Sequence, residues 1–145
     1  MDMTRFFVDA QARMPDFRLV ISFLWGDGHG VDSDGNASSP AARDWTELYL
    51  RSRERPQEIV EVLPVEGSDL LVVESPIKEL ASRVAFFLAT ETAGAVATSA
   101  TGPWDNPSTL RGLMGSFSIE EAANRVATSP FRKASLDDPY PNLRA

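Results

Sequence analysis

The residues able to carry chemistry are few, and most lie between positions 26 and 44. The single histidine, His29, sits in Gly28-His29-Gly30. It is the side chain whose unperturbed titration falls near neutral pH, so it is the natural candidate for a general base. A serine hydrolase built on it needs a nucleophile and a second acid beside the ring. No serine stands in a Gly-x-Ser-x-Gly elbow, and the glycine setting reads as a solvated loop. Asp32-Ser33-Asp34-Gly35-Asn36 places oxygens at alternate positions, as a calcium loop does. The twelfth position counted from Asp32 is Arg43, where such a loop needs a bidentate Glu. Gly26-Asp27-Gly28-His29-Gly30 lacks the Gly-Lys-Ser or Gly-Lys-Thr ending of a phosphate loop, and no helix follows it. The absence of cysteine removes thiolate nucleophiles, disulfides, thiolate zinc sites and iron–sulfur clusters. No cofactor, metal or catalytic residue is therefore expected. Carboxylate-only chemistry stays open, although Glu58 with Glu61 and Glu120 with Glu121 read as solvated faces.

Charge points the same way. Fourteen Lys and Arg stand against 21 Asp and Glu, a formal net charge of −7. Nucleic-acid binding needs clustered cations facing the phosphates, so no nucleic-acid partner is expected. An acidic surface suits a basic protein partner. The first residues show no basic stretch followed by a long apolar one, and Leu19 to Trp25 is far shorter than a membrane span. The expectation is a cytoplasmic protein with no membrane partner.

The elements that must position these residues fit one domain over 1–145. That length buries enough surface for a core without staples. Thr4 to Arg13 reads as a short helix or an extended arm. Phe17 to Trp25, rich in β-branched and aromatic residues, reads as a strand. Residues 26–44 read as a long polar loop, functional or mobile. Strands are expected over Trp45–Arg53, Glu58–Leu63 and Leu70–Glu74. The turns between them are short enough to force an antiparallel meander. In the first strand Trp45, Glu47, Tyr49 and Arg51 share one face, and Thr46, Leu48, Leu50 and Ser52 the other. Arg51, Arg53 and Arg55 are expected to meet Glu58 and Glu61 across the hairpin.

A helix over Pro76–Thr92 opens with Ser75 as cap and carries an apolar stripe through Ile77, Leu80, Ala81, Val84, Phe87 and Leu88. Ala95–Thr98 returns as a short strand, Ser108–Leu113 as a helical turn. A second helix begins at Ser118, with Glu121 completing a capping box. Residues 135–145 read as an extended tail. The fold class is α+β: a mostly antiparallel meander of four to five strands, with one long amphipathic helix and a second shorter helix on one face.

Phe86 falls on the polar side of the long helix, opposite Ile77, among Lys78, Glu79, Ser82 and Arg83. It is either covered by a second layer or a partner contact. Trp104, in Gly102-Pro103-Trp104-Asp105, carries the same two readings. With Asp27, Asp32 and Asp34 these form the candidate partner-binding set.

The run Asp44-Trp45-Thr46-Glu47-Leu48-Tyr49-Leu50, then Glu58-Ile59-Val60-Glu61-Val62, then Leu70-Leu71-Val72-Val73-Glu74-Ser75, leads into the Glu79-Leu80-Ala81 helix. In element order it resembles the small acidic immunity proteins of bacterial polymorphic and type VI secretion toxins. The resemblance spans Asp44 to Thr98 and implies a small cytosolic α+β protein that neutralises a cognate toxin by binding it. It carries over no residue roles and does not name the toxin's activity. The alternative is a small-ligand-binding or regulatory domain with a site walled by the long loop, where a polar pocket would face Trp25, Trp45 and Arg51.

Overall fold

A computed structural model describes residues 2–143. Its strands are β1 (Thr4–Asp9), β2 (Val31–Gly35), β3 (Leu48–Ser52), β4 (Ile59–Pro64), β5 (Leu71–Ser75) and β6 (Ala95–Ala97). Its α-helices are α1 (Arg18–Leu24), α2 (Lys78–Glu91) and α3 (Ile119–Thr128). The strands form a single sheet in the order β2-β3-β4-β5-β1-β6, and every pairing is antiparallel. The fold is α+β with six strands, against the four to five expected. The expected meander is present as β3-β4-β5. β2 extends it on one side, and β1 inserts between β5 and β6 on the other.

Alternation in β1, β3 and β4 sets the inner face, while β5 and β6 bury Val72 and Ala97 on the other side as well. Leu48, Leu50, Val60, Val62, Leu71, Val73, Phe6, Val8 and Val96 point the same way and are buried in one core cluster. α2 lies on this face, against β1, β4, β5 and β6. α1 then packs on α2 and α3 on α1, forming a second layer. Burying one such aliphatic or aromatic side chain is worth about 1.5–3 kcal/mol.

The apolar run around residues 18–24 is a helix, not the expected strand. Leu19, Val20, Ser22, Phe23 and Leu24 are all buried, so no polar stripe marks a helical period. The Asp16 carboxylate accepts the Arg18 N–H at 3.0 Å and starts the turn. Helical packing between α2 and α3 then outweighs β-propensity. The loop reading of 26–44 missed β2. It is an edge strand whose Asp and Ser side chains give no apolar alternation.

α3 starts as expected, with the Ser118 hydroxyl accepting the Glu121 N–H at 3.2 Å. Ser75 is not the cap: the helix starts at Lys78 with Ile77 in the cap position, two residues after Ser75. The Ser75 hydroxyl takes the Ile77 N–H at 3.0 Å and donates to the Ile59 carbonyl at 2.6 Å, which ties α2 to β4. At the far end of α2, Gly94 passes so close to β1 that a Cβ there would collide with the Asp9 carbonyl oxygen.

The C-terminal segment docks on the helical layer. Arg18 pairs with Asp16 at 2.6 Å. Its guanidinium lies 4.1 Å from the Phe131 ring centroid and 5.4 Å from that of Tyr140. A short 3₁₀ turn, Pro141–Leu143, follows. Arg144 and Ala145, the end of the expected tail, lie outside the described residues.

Candidate functional site

The opposite face of the sheet carries no helix of the core cluster. Register places Leu63, Val72, Phe7 and Ala97 in one cross-strand row over β4, β5, β1 and β6. None of the four belongs to the core cluster, but Val72 and Ala97 are buried and only Phe7 and Leu63 are partly exposed. Beside this apolar row runs a polar one: Asp34, Tyr49, Glu61, Glu74 and Arg5, over β2, β3, β4, β5 and β1. A third row holds Asp32, Arg51 and Ile59.

Some acids on this face are neutralised and others are not. Arg5 meets Glu74 at 3.0 Å. Asp32 takes Arg53 at 2.7 Å and Arg51 at 3.1 Å, and the hydrogen bonds from Arg53 and then Arg51 hold its carboxyl below the usual range. The expectation that Arg51 and Arg53 reach Glu58 and Glu61 is thus corrected: β2, the strand missed in the loop, supplies their acid. Arg55 does meet Glu58, at 2.6 Å. Burial pushes the Glu58 carboxyl up, but the bonds from Arg55 and the Trp25 indole outweigh it, so it titrates lower than normal.

Asp34, Glu47 and Glu61 have no cationic partner among the described residues. Asp34 accepts the Gly35 N–H at 2.8 Å, and Glu47 accepts the Asn36 amide at 3.3 Å. With Tyr49 and Leu63 these three acids line a shallow hollow of about 210 Å³. Asn36 holds its rim, its carbonyl oxygen accepting the Thr46 and Glu47 N–H groups at 2.9 Å each. The backbones approach closely here: a Cβ at Gly35 would strike the Glu47 carbonyl oxygen. Asp34 and Glu47 also line a second cavity, of about 270 Å³, between Phe17, Trp45 and residues 37–40. Among the described residues no group of three His, Cys, Asp or Glu is placed to hold a metal ion.

The candidate partner-binding residues do not form one patch. Asp32 and Asp34 stand on β2 and reach the open face. Asp27 instead accepts the hydroxyls of Ser22 and Ser129 and ties the end of α1 to the residue after α3. Phe86 is 7% exposed, so the exposed-aromatic reading is corrected. The second layer covers it: Phe23 stacks at 6.1 Å and the Arg111 guanidinium lies 5.6 Å above the ring. Trp104 is half-buried beside the Val96–Asp105 bridge at the β6 edge. Tyr49, Glu61, Leu63, Val72 and Phe7 were not in the candidate set. Their alternation out of the core was readable, but alignment into rows requires the register.

His29 is not a solvated loop residue. Its side chain is 11% exposed and stacks on Trp25 at 5.3 Å. Its Nε2 lies 2.7 Å from the Ser52 Oγ, and its Nδ1 3.7 Å from a Glu54 carboxylate oxygen. The order Ser, His, acid imitates a hydrolytic triad, but the geometry does not support the chemistry. Ser52 is fully buried, and its hydroxyl already accepts the Arg55 N–H at 3.0 Å. No substrate carbonyl reaches that oxygen in this arrangement. His29 here fastens the β2 approach to the β3 end.

Among the described residues no helix is long and apolar enough to cross a membrane. Comparison with protein-family models, with curated proteins and with solved structures returns no match.

Proposed function

We propose that this chain is a binding protein that neutralises a cognate bacterial toxin in the cytoplasm, by covering the toxin's active site or substrate channel. The observation that carries the reading is the sheet face opposite the helices, where partly exposed Phe7, Leu63 and Tyr49 lie beside three acids that have no cationic partner among the described residues. That combination of two aromatics, a leucine and uncompensated charge suits a basic protein surface. Immunity proteins, which the element order resembles, act in this way without catalysis. The sealed Ser52 hydroxyl and the structural engagement of His29 are consistent with a non-catalytic role.

The test is co-purification with the secreted-type toxin encoded beside the gene, followed by protection of cells expressing that toxin. Tyr49→Ala with Leu63→Ala is expected to abolish protection while the chain stays folded. Full protection by this variant would sink the interface, and no toxin partner at all would sink the function.

A second reading, a small-ligand domain, draws on the 270 Å³ cavity walled by residues 37–40. Trp45 lines that cavity, but Trp25 and Arg51, expected to face the same site, do not. A small molecule that raises the melting temperature in the absence of any protein partner would favour it.

A further inference from the structure

We propose that the free edge of β2 is a strand-addition site: it pairs with an extended segment of the bound protein in which basic and apolar residues alternate. That the segment belongs to a protein partner rests on the protein-binding reading, while the edge itself follows from backbone geometry.

The sheet treats its two edges differently. At β6 the outer edge is closed: the Val96 N–H donates to the Asp105 carbonyl at 2.9 Å, and the Asp105 N–H to the Val96 carbonyl at 2.8 Å. At β2 it is open. Two bonds fix which backbone groups face β3: the Arg53 N–H reaches the Gly30 carbonyl at 3.0 Å, and the Asn36 N–H the Glu47 carbonyl at 3.2 Å. Bonded pairs recur at every second residue of an antiparallel ladder, so Asp32 and Asp34 also turn their backbone groups to β3. Val31, Ser33 and Gly35 turn theirs away. Among the described residues no backbone group bonds the N–H or C=O of Val31 or Ser33 on that side. The Gly35 N–H is taken by the Asp34 carboxylate at 2.8 Å. Ser33, Asp34 and Gly35 are exposed, and such a row of unpaired groups is a template for a further strand.

The side chains select the occupant. A second copy of this chain is disfavoured. Antiparallel pairing of two β2 strands about Ser33 sets each Asp32 opposite an Asp34, and like charges opposed across strands destabilise. Asp32 already holds Arg51 and Arg53, whereas Asp34 has no cationic partner among the described residues. A lysine or arginine opposite Asp34 on the added strand therefore gains a pair on the open face. Its neighbours in sequence point to the other side of the sheet. There Ser33 and Gly35 border the cavity walled by Phe17, Pro40 and Trp45, which gives those neighbours an apolar seat. A segment of alternating basic and apolar residues satisfies both sides at once.

The experiment uses the full chain and three acetylated, amidated peptides: Thr-Lys-Val-Lys-Val-Lys-Thr, the same peptide with glutamate for lysine, and the lysine peptide N-methylated at both valines. Amide exchange is followed by heteronuclear NMR. Expected is saturable slowing at the Val31 and Ser33 amides, with those of Asp32 and Asp34, already bonded to β3, little changed. The dissociation constant falls in roughly the millimolar range, since a free strand must be ordered on binding. The glutamate and N-methylated peptides each bind at least about tenfold more weakly, the first through charge and the second through lost backbone donors. Ser33→Pro removes an outward N–H that makes no bond in the fold, so it keeps the ladder to β3 and weakens the lysine peptide about tenfold. No saturable slowing, slowing without that alternation, or equal affinity for either control peptide would overturn the proposal. If Ser33→Pro fails to fold by near-UV circular dichroism, the N-methyl comparison on the unaltered chain decides alone. Full toxin affinity in a folded Ser33→Pro variant refutes this inference and spares the function. Alternating slowing by the lysine peptide in a chain that protects against no toxin does the reverse.

Discussion

Glu61→Lys separates an interface role from a structural one, because the two predict opposite signs. Glu61 lies directly opposite Glu74 across β4 and β5. Like charges facing each other on a sheet destabilise, and favourable cross-strand pairs contribute about 0.2–1 kcal/mol. Lysine at 61 exchanges a repulsion for an attraction. Arg5 already neutralises part of Glu74, and the face is partly solvated, so the gain is set near the low end, about 0.5 kcal/mol. For a chain of this size that raises the melting temperature by about 1–2 °C. Binding moves the other way. A reversed charge among Asp34, Glu47 and Tyr49 removes attraction for a basic partner, so affinity falls at least about tenfold, largely through a slower association rate at low salt. The assay pairs urea denaturation with surface-based kinetics against the cognate toxin at two salt concentrations. A variant that is less stable would refute the like-charge reasoning. A variant as tight and as fast as the original would remove this face from the interface.

Three further perturbations test the rest of the account. Asp16→Ala leaves the Arg18 charge buried without its partner, between Phe131 and Tyr140. It is expected to cost about 3–5 kcal/mol in urea denaturation and to speed amide exchange after residue 130. Phe86→Ala removes a core ring, so it costs about 3–5 kcal/mol and leaves affinity unchanged in whatever fraction stays folded. A loss of affinity at unchanged stability would restore it as a contact. The third concerns acid. Asp32 and Glu58 both titrate lower in the folded chain than their ordinary values of 3.8 and 4.5. Their stabilisation is therefore complete above those values and drains away as pH falls through them towards the lowered ones. Stability should decline below roughly pH 5, and Glu58→Gln should flatten part of that decline. An unchanged acid limb would contradict the Arg55–Glu58–Trp25 linkage.

The parts of the fold that were legible in the sequence are those where one face is wet. α3 shows its cap and its stripe because Glu120, Glu121 and Asn124 stay exposed. β3 and β4 show alternation because their outward residues stay partly exposed, whereas β5 buries Leu71, Val72 and Val73 in succession. α1 failed for the converse reason, since burial on nearly every side erased its period and left only β-branched composition to read. α2 misled at Phe86 in the same way: Ser82 and Phe86 both sit under the second layer, so its nominally polar side is not a solvent side. β2 was hidden because an edge strand of Val-Asp-Ser-Asp-Gly composition looks like a loop until β3 pairs with it. Of the site, Asp32 and Asp34 were found from their type and loop setting, and Tyr49 was placed on one strand face with Trp45, Glu47 and Arg51, although Trp45 is buried in the core. The alignment of Leu63, Val72, Phe7 and Ala97 depends on a register that turn chemistry alone did not supply.

The central claim is that the helix-free sheet face binds a protein. The most direct measurement is amide hydrogen exchange and cross-saturation mapping of the chain, free and in complex with the cognate toxin. Protection and saturation are expected at Tyr49, Glu61, Leu63, Val72 and Phe7, with α1 and α3 unaffected. A footprint confined to the α1–α3 side or to the 107–113 segment, leaving the sheet face in water, would contradict it.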